Sequence, residues 1–265
     1  MTSAQPPTHD LVSFDLDGTL VDTAGEIADA VNRCLTGQGL PPRPEAEIVA
    51  LIGNGAHALM HQLLARMRQE LRQALRQELR QELRQALRHE LGQDAGPENP
   101  AQSALMLADA LMPDFEAHYA ITAGTTSQPY PGASAALRQL RARGVKLACV
   151  TNKELRHARR VLQAHGLTAL FDLVIGGDSL AEKKPHASVL QHVASTLGVP
   201  LGRVAHVGDS ATDVAAARHA GVAAWAVPYG YNAGVPISDS RPDIVFNSLQ
   251  AVADHVTGHS PAAGQ

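Results

Sequence analysis

The chain has 265 residues, 45% of them hydrophobic and 18% charged, the balance of a globular protein that buries a core in one or two domains. That composition excludes a disordered or fibrous chain, and no apolar run approaches the roughly 18 residues of a membrane span. A formal charge of −4 and only 3% aromatic residues argue against a nucleic-acid partner, which needs basic patches and stacking platforms.

The opening residues, MTSAQPPTHD, have no basic stretch followed by an apolar one, so they read as a loose tail rather than a secretory signal. Asp10 to Phe14 reads as a short buried strand, and it stops at Asp15-Leu-Asp-Gly-Thr-Leu-Val-Asp22, where Gly18 marks a turn. The next hundred residues show no convincing strand. Helical periodicity covers Glu26 to Leu35 and Glu45 to Ile52. Gly53-Asn-Gly55 is a turn that opens a long helix from Ala56 to Leu91, then a loop runs from Gly92 to Pro100 and a helix from Ser103 to Tyr119.

From Tyr130 the pattern changes to strand and helix in alternation. Strands are expected at Val145–Val150, Leu173–Ile175, Val204–Val207 and Val222–Val227, the last clear one. Helices are expected at Ala133–Arg143, Glu154–His165, Ala187–Leu197 and Val214–His219. Short apolar strands alternating with helices predict an α/β fold with a doubly wound parallel sheet. The first strand precedes the helical stretch and the others follow it. We therefore expect an α/β core from residues 1–22 and 126–265, with an all-helical cap at 23–125 inserted after the first strand. Cys149 falls within an expected buried strand, so no disulfide with Cys34 is expected and a reducing cytoplasm fits.

In an open α/β sheet, ligands bind beyond the carboxyl ends of the strands. After the first strand come Asp15 and Asp17. Thr151, Asn152 and Lys153 follow the second, Lys183-Lys184-Pro185 the third, and Gly208, Asp209, Ser210 and Asp213 the fourth. Carboxylates without cysteine or paired histidine suit a hard cation, Mg²⁺ foremost. A metal, a lysine and a hydroxyl together suit a phosphate. Each piece has an ordinary reading alone: Asp-x-Asp as a capped turn, Gly-Asp-Ser-x-x-Asp as a helix cap, a lysine before proline as a solvated residue. Their arrival in order at one end of the sheet is what points to chemistry.

With these residues assembled, the chain resembles the haloacid-dehalogenase superfamily of phosphatases, whose core is Rossmann-like. The motifs are Asp15-Leu-Asp-Gly-Thr-Leu-Val-Asp22, Val150-Thr-Asn152, Lys184-Pro185 and Val207-Gly-Asp-Ser-Ala-Thr-Asp213. Ile52-Gly-Asn-Gly-Ala56 and Tyr229-Gly-Tyr-Asn232 further resemble its bacterial phosphoglycolate phosphatases. One departure is Ala187, where the superfamily often has a second proline after Lys-Pro. The resemblance implies that Asp15 attacks phosphorus to form an aspartyl-phosphate, and that Asp17 protonates the leaving oxygen and later activates water. It implies that Thr151, with Asn152, holds the phosphoryl group and that Lys184 neutralises charge. Asp209 would hold Mg²⁺ with Asp15 and the backbone carbonyl of Asp17, while Ser210 and Asp213 would orient a metal-bound water or Lys184. An acid at position 17 favours phosphate chemistry over dehalogenation.

In this superfamily an inserted helical domain closes over the site and reads the leaving group. Gly53-Asn54-Gly55, ahead of a helix, can offer N–H groups and a helix dipole to a small anion such as a glycolate carboxylate; a plain capped helix entry is the alternative. His57 and His61 share metal-ligand spacing, but Ala58 stands where a zinc protease needs an acid, so solvated or packed histidines are expected. His186 and His206 flank motifs and are read as ordinary strand or loop residues, and Leu59 and Met60 as core. Residues 68–91 are six tetrads, RQEL, RQAL, RQEL, RQEL, RQAL and RHEL, made of strong helix formers. We read them as a low-complexity helical insertion.

The expected function is Mg²⁺-dependent hydrolysis of a small phosphorylated substrate, 2-phosphoglycolate first, with no nucleic-acid or membrane partner. Alternatives are another small phosphatase, a phosphosugar mutase of the same fold, or a catalytically silent protein that binds partners through its long helix. Self-association is open.

Overall fold

The computed structural model of the chain describes residues 6–86 and 100–258, and of residues 74–86 and 100–107 the backbone only. Strand β1 (Leu11–Phe14) is buried along its whole length, as a central strand covered on both faces must be. The chain leaves it through β2 (Val21–Asp22) into four helices, α1 (Ala24–Gly37), α2 (Glu45–Val49), α3 (Ala56–Ala86) and α4 (Pro100–Thr122). It returns through β3 (Gln128–Pro129), which pairs antiparallel with β2. Then come α5 (Ala133–Ala142), β4 (Lys146–Val150), α6 (Leu155–Ala164), β5 (Leu173–Ile175), α7 (Ala187–Leu197), β6 (Val204–Gly208), α8 (Ala211–Ala220), β7 (Ala223–Ala226), β8 (Ile244–Val245) and α9 (Leu249–Thr257).

The main sheet has the order β5-β4-β1-β6-β7-β8 and every pairing in it is parallel. The doubly wound α/β expectation therefore holds. Alternate residues of each strand feed opposite faces. Val12, Phe14, Leu147, Cys149, Ala205 and Val207 join one hydrophobic cluster, which includes side chains of α5 and α9. Leu11, Ala148, Val150 and Val204 join the other, with α7 and α8. The first cluster continues into the helical layer through Val31, Leu35, Ile48, Met60, Leu63, Leu111 and Phe115. Leu59 and Met60 are buried, as the sequence suggested, and both cysteines are buried and unpaired. No described helix is long and apolar enough to cross a membrane.

The differences from expectation are local. A short strand, β2, closes the motif that follows the first strand, β3 falls just before the expected strand–helix alternation, and β8 and α9 follow the last expected strand. Two-residue strands are too short to show a period, and only the tertiary partner makes them strands. The long helix is described to Ala86, so its expected end at Leu91 and the loop from Gly92 lie outside the described residues.

β1 sits between β4 and β6, with Phe14 level with Cys149 on one side and Val207 on the other. The chain winds outward in both directions from this point, so a crevice opens beyond the carboxyl ends of these strands. Asp15, Thr151 and Asp209 are the first residues past, or at, those ends.

Candidate active site

Asp15 is buried, and its Oδ1 accepts the Leu16 N–H at 2.7 Å and the Lys184 ammonium at 2.9 Å. Lys184 is also buried and reaches Asp213 Oδ1 at 2.6 Å. Asp213 in turn faces His206 Nε2 at 3.2 Å, and His206 Nδ1 lies 2.9 Å from the Ser13 hydroxyl inside the sheet. The cap reading of Gly-Asp-Ser-x-x-Asp is correct as well. Ser210 Oγ accepts from the Asp213 N–H, and Asp213 Oδ2 accepts from the Ser210 N–H, a capping box that opens α8. One carboxylate thus starts a helix and holds a lysine.

Asp209 is fixed from both sides. Its Oδ1 accepts the Thr19 hydroxyl at 2.9 Å and its Oδ2 the Tyr231 N–H at 2.5 Å. A Cβ on Gly18 would stand 2.3 Å from Asp209 Oδ2, and one on Gly230 would stand 2.2 Å from it, so the approach of both loops requires glycine.

Ligand oxygens of Asp15, Asp209 and Asp213 all lie within 4.8 Å of one another. Burial, with added repulsion from Asp213 and Asp17, pushes the Asp15 carboxyl up to about 7 despite Lys184 beside it. Burial and the charges of Asp213 and Asp15 likewise raise Asp209 well above the ordinary carboxylate range. Asp213 is the exception: burial opposes its charge, but Lys184 and His206 overcome that and hold its carboxyl low. Lys184 is disfavoured by burial, yet Asp15 and Asp213 keep it charged. Asp15 and Asp209 are therefore short of positive charge while Asp213 is satisfied. An all-oxygen donor set crowded in this way fits a hard divalent cation.

Asp15, Asp17, Thr151 and Asn152 line one cavity, closed on its far side by Ile52, Gly53 and Leu59 of the helical layer. Asp17 Oδ1 accepts the Thr23 hydroxyl at 2.6 Å and the Lys153 ammonium at 2.7 Å. Asn152 Nδ2 donates to the carbonyls of Gly53 and Lys184, at 3.0 and 2.9 Å, and its buried Oδ1 has no partner among the described residues. Gly53 thus reaches the cavity. Asn54 is not in its lining: its carbonyl accepts from Lys183 Nζ at 2.7 Å and its Oδ1 from the Thr212 hydroxyl at 3.3 Å. Asn54 holds the helical layer against the sheet edge. His57 pairs with Asp109 at the surface, and His186 caps α7.

The sequence assigns no role to three participants, although it places Lys153 at a strand end and Tyr231 within a motif. Lys153, part of the cavity lining, binds both Asp17 and the Tyr119 hydroxyl. Tyr119 lines the cavity and donates to the buried Glu26 at 3.3 Å. Tyr231 accepts the Thr23 and Ala24 N–H groups at 2.7 and 2.9 Å, supplying from a distant loop the cap that Thr23 does not provide. Only Tyr231 stood within a quoted motif, and its hydroxyl role needed the fold.

The family profile for haloacid dehalogenase-like hydrolases matches residues 9–221. A phosphoglycolate phosphatase of Pasteurella multocida (strain Pm70) is 33% identical over 246 residues, covering 91% of this chain and 96% of the relative. That of Yersinia pestis is 34% identical, covering 89% and 88%. The crystal structure of a predicted phosphoglycolate phosphatase from Haemophilus somnus 129PT superposes with a TM-score of 0.71 at 30% identity, covering 92% of this chain and 96% of its own.

Proposed function

The chain belongs to the haloacid dehalogenase-like hydrolase family and is a phosphatase of that family, and from this premise we propose that it hydrolyses 2-phosphoglycolate to glycolate and phosphate with Mg²⁺. The observation that carries the reading is the convergence of Asp15, Lys184 and Asp209 at the crevice, with Asp17 and Thr151 sharing Asp15's cavity. The names of the relatives support the choice of substrate.

The carboxylate of Asp15 attacks phosphorus, and the bond from phosphorus to the leaving oxygen breaks. Asp17 Oδ1 is engaged by Thr23 and Lys153, so Oδ2 holds the proton that passes to that oxygen. Asp17 then takes a proton from water as the water attacks the aspartyl-phosphate, releasing phosphate and restoring Asp15. The Thr151 hydroxyl holds a phosphoryl oxygen, and Lys184 balances charge on Asp15 throughout. Asp15, Asp209 and the Asp17 carbonyl would hold Mg²⁺, which when bound supplies charge neutralisation at the phosphoryl oxygens. Residues 23–125 act as a cap that excludes water, latched through Asn54. The buried free cysteines suit a cytoplasmic enzyme.

Phosphate release from a panel with Mg²⁺ tests this: 2-phosphoglycolate, p-nitrophenyl phosphate, glucose 6-phosphate and β-glucose 1-phosphate. The highest kcat/KM is expected for 2-phosphoglycolate. A phosphosugar preferred by tenfold overturns the substrate, and no turnover of any ester overturns the activity.

A further inference from the structure

We infer that Lys153 is the specificity residue of the cavity, the cation that receives a carboxylate carried by the leaving group one methylene from the ester oxygen. This rests on the 2-phosphoglycolate reading and extends it to a residue outside the motifs that suggested it. The argument begins with charge. Among the described residues that line the cavity, Lys153 is the only cation. Lys184 is turned to Asp15 and Asp213, and the helical layer contributes apolar walls: Ile27, Ile52, Leu59 and Phe115. Two of the Lys153 N–H groups are spoken for, by Asp17 Oδ1 at 2.7 Å and by the Tyr119 hydroxyl. An ammonium has three, and the third has no protein partner among the described residues.

Position makes the same case. Lys153 is 6% exposed, and its nitrogen lies 4.7 Å from the centre of the Tyr119 ring, so its reach is confined. Glu26 anchors Tyr119 while also accepting the Gly124 N–H at 2.9 Å and the Ser127 N–H at 3.3 Å, so the support is itself fixed. Because Lys153 touches Asp17, the acid proposed for the leaving oxygen, an anion one methylene beyond that oxygen falls beside the same ammonium. A neutral leaving group, or one whose anion sits further out, meets hydrocarbon. Glu154 also lines the cavity, and burial raises its carboxyl pKa, which weakens its opposition to an anion.

The test compares 2-phosphoglycolate with 2-hydroxyethyl phosphate, its neutral counterpart, in wild type, K153M and K153R. Wild type is expected to prefer the carboxylate substrate. K153M should lower that preference, as a ratio of kcat/KM values, by roughly 10- to 100-fold and mainly through KM, the span expected for one charge-assisted hydrogen bond. K153R should retain most of it. If K153M does not fold by circular dichroism, K153Q gives the same reading without the charge. A wild-type ratio near one overturns the substrate assignment and this inference together. A high wild-type ratio that K153M or K153Q leaves within twofold overturns the inference alone, because Lys153 then merely supports Asp17.

Discussion

Lys184 Nζ lies 2.6 Å from Asp213 Oδ1, with both side chains buried, so the lysine that serves Asp15 is held by a carboxylate in the first turn of α8, the helix that follows β6. Replacing Asp213 with asparagine keeps the volume but leaves Lys184 with half its countercharge. Breaking a buried pair by neutralising one member costs about 3 kcal/mol or more. D213N is expected to lower thermal stability by that order and kcat by roughly 10- to 100-fold, the cost of disturbing a residue that orients the reacting groups. Urea unfolding and initial rates check it; an unchanged kcat would show that Lys184 needs only Asp15.

D15N tests the nucleophile. The substitution is nearly isosteric and an amide does not attack phosphorus, so turnover should fall by about four orders of magnitude or more. Burying a neutral group should not destabilise the fold, because Asp15 is already disfavoured as an anion. Wild-type turnover in D15N would exclude the covalent route.

Much of this site could be read along the chain because its residues directly follow apolar strands. Leu11-Val-Ser-Phe14 announces a buried strand, and Asp15 and Asp17 are then placed by chain order alone. Thr151 and Asp209 follow by the same logic on β4 and β6. What could not be read depends on distant partners. Tyr119 reads as one more apolar position of a helix, and only the fold brings it to Lys153, thirty-four residues on. Glu26 reads as a helix-start acid, whereas it is buried against the N–H groups of Gly124 and Ser127. Asn54 stands in a legible turn, but the side it faces was set by Thr212 and Lys183.

The raised carboxyls give a pH signature. Asp15 moves from 3.8 to about 7, and Asp209 is also raised. A carboxyl whose pKa rises on folding costs nothing while both states are protonated. Its cost grows as pH climbs from the unfolded value to the folded one. The metal-free protein should therefore lose stability from pH 3.8 to about 7 on account of Asp15. Mg²⁺ held by these carboxylates, as proposed, would replace the protons as countercharge. The gain in thermal midpoint on adding Mg²⁺ should be small at about pH 5 and large at about pH 8, with apparent affinity rising about tenfold per pH unit for each proton displaced. A gain independent of pH would remove these carboxylates from the metal site.

Tyr231 donates its hydroxyl to Asp22 and accepts the N–H groups of Thr23 and Ala24 where α1 begins. Y231F removes the acceptor of the Thr23 N–H and leaves the Ala24 N–H only Asp22 Oδ1 at 3.2 Å, at about 1–2 kcal/mol. Because α1 is the first helix of the inserted layer, KM for 2-phosphoglycolate should rise along with the loss of stability. A melt equal to wild type would show that water serves as well as the tyrosine.

The repeat within α3 bears on none of this chemistry. Helix α3 packs through Met60, Leu63 and Leu64, and Met67 is half-buried, but Leu71 is 69% exposed, so the helix leaves the core within that turn. Beyond it the leucines recur every four residues, as the tetrads show. Four residues of ideal α-helix turn about 400°, so the spacing in the sequence predicts leucine positions rotated about 40° from one to the next, a spiral rather than a seam. A flat partner cannot cover such a spiral, and a coiled coil needs a 3.5-residue period (about 3.5, against 4 here). Arginines at the same spacing add like-charge repulsion. Deleting Arg72 to Leu79, two tetrads, should therefore leave kcat/KM for 2-phosphoglycolate within about threefold, since none of the proposed chemistry lies in that segment. The mass in solution, read by light scattering, should change only by the residues removed. Loss of activity, or a halved assembly mass, would mean that the leucine spiral wraps a partner subunit.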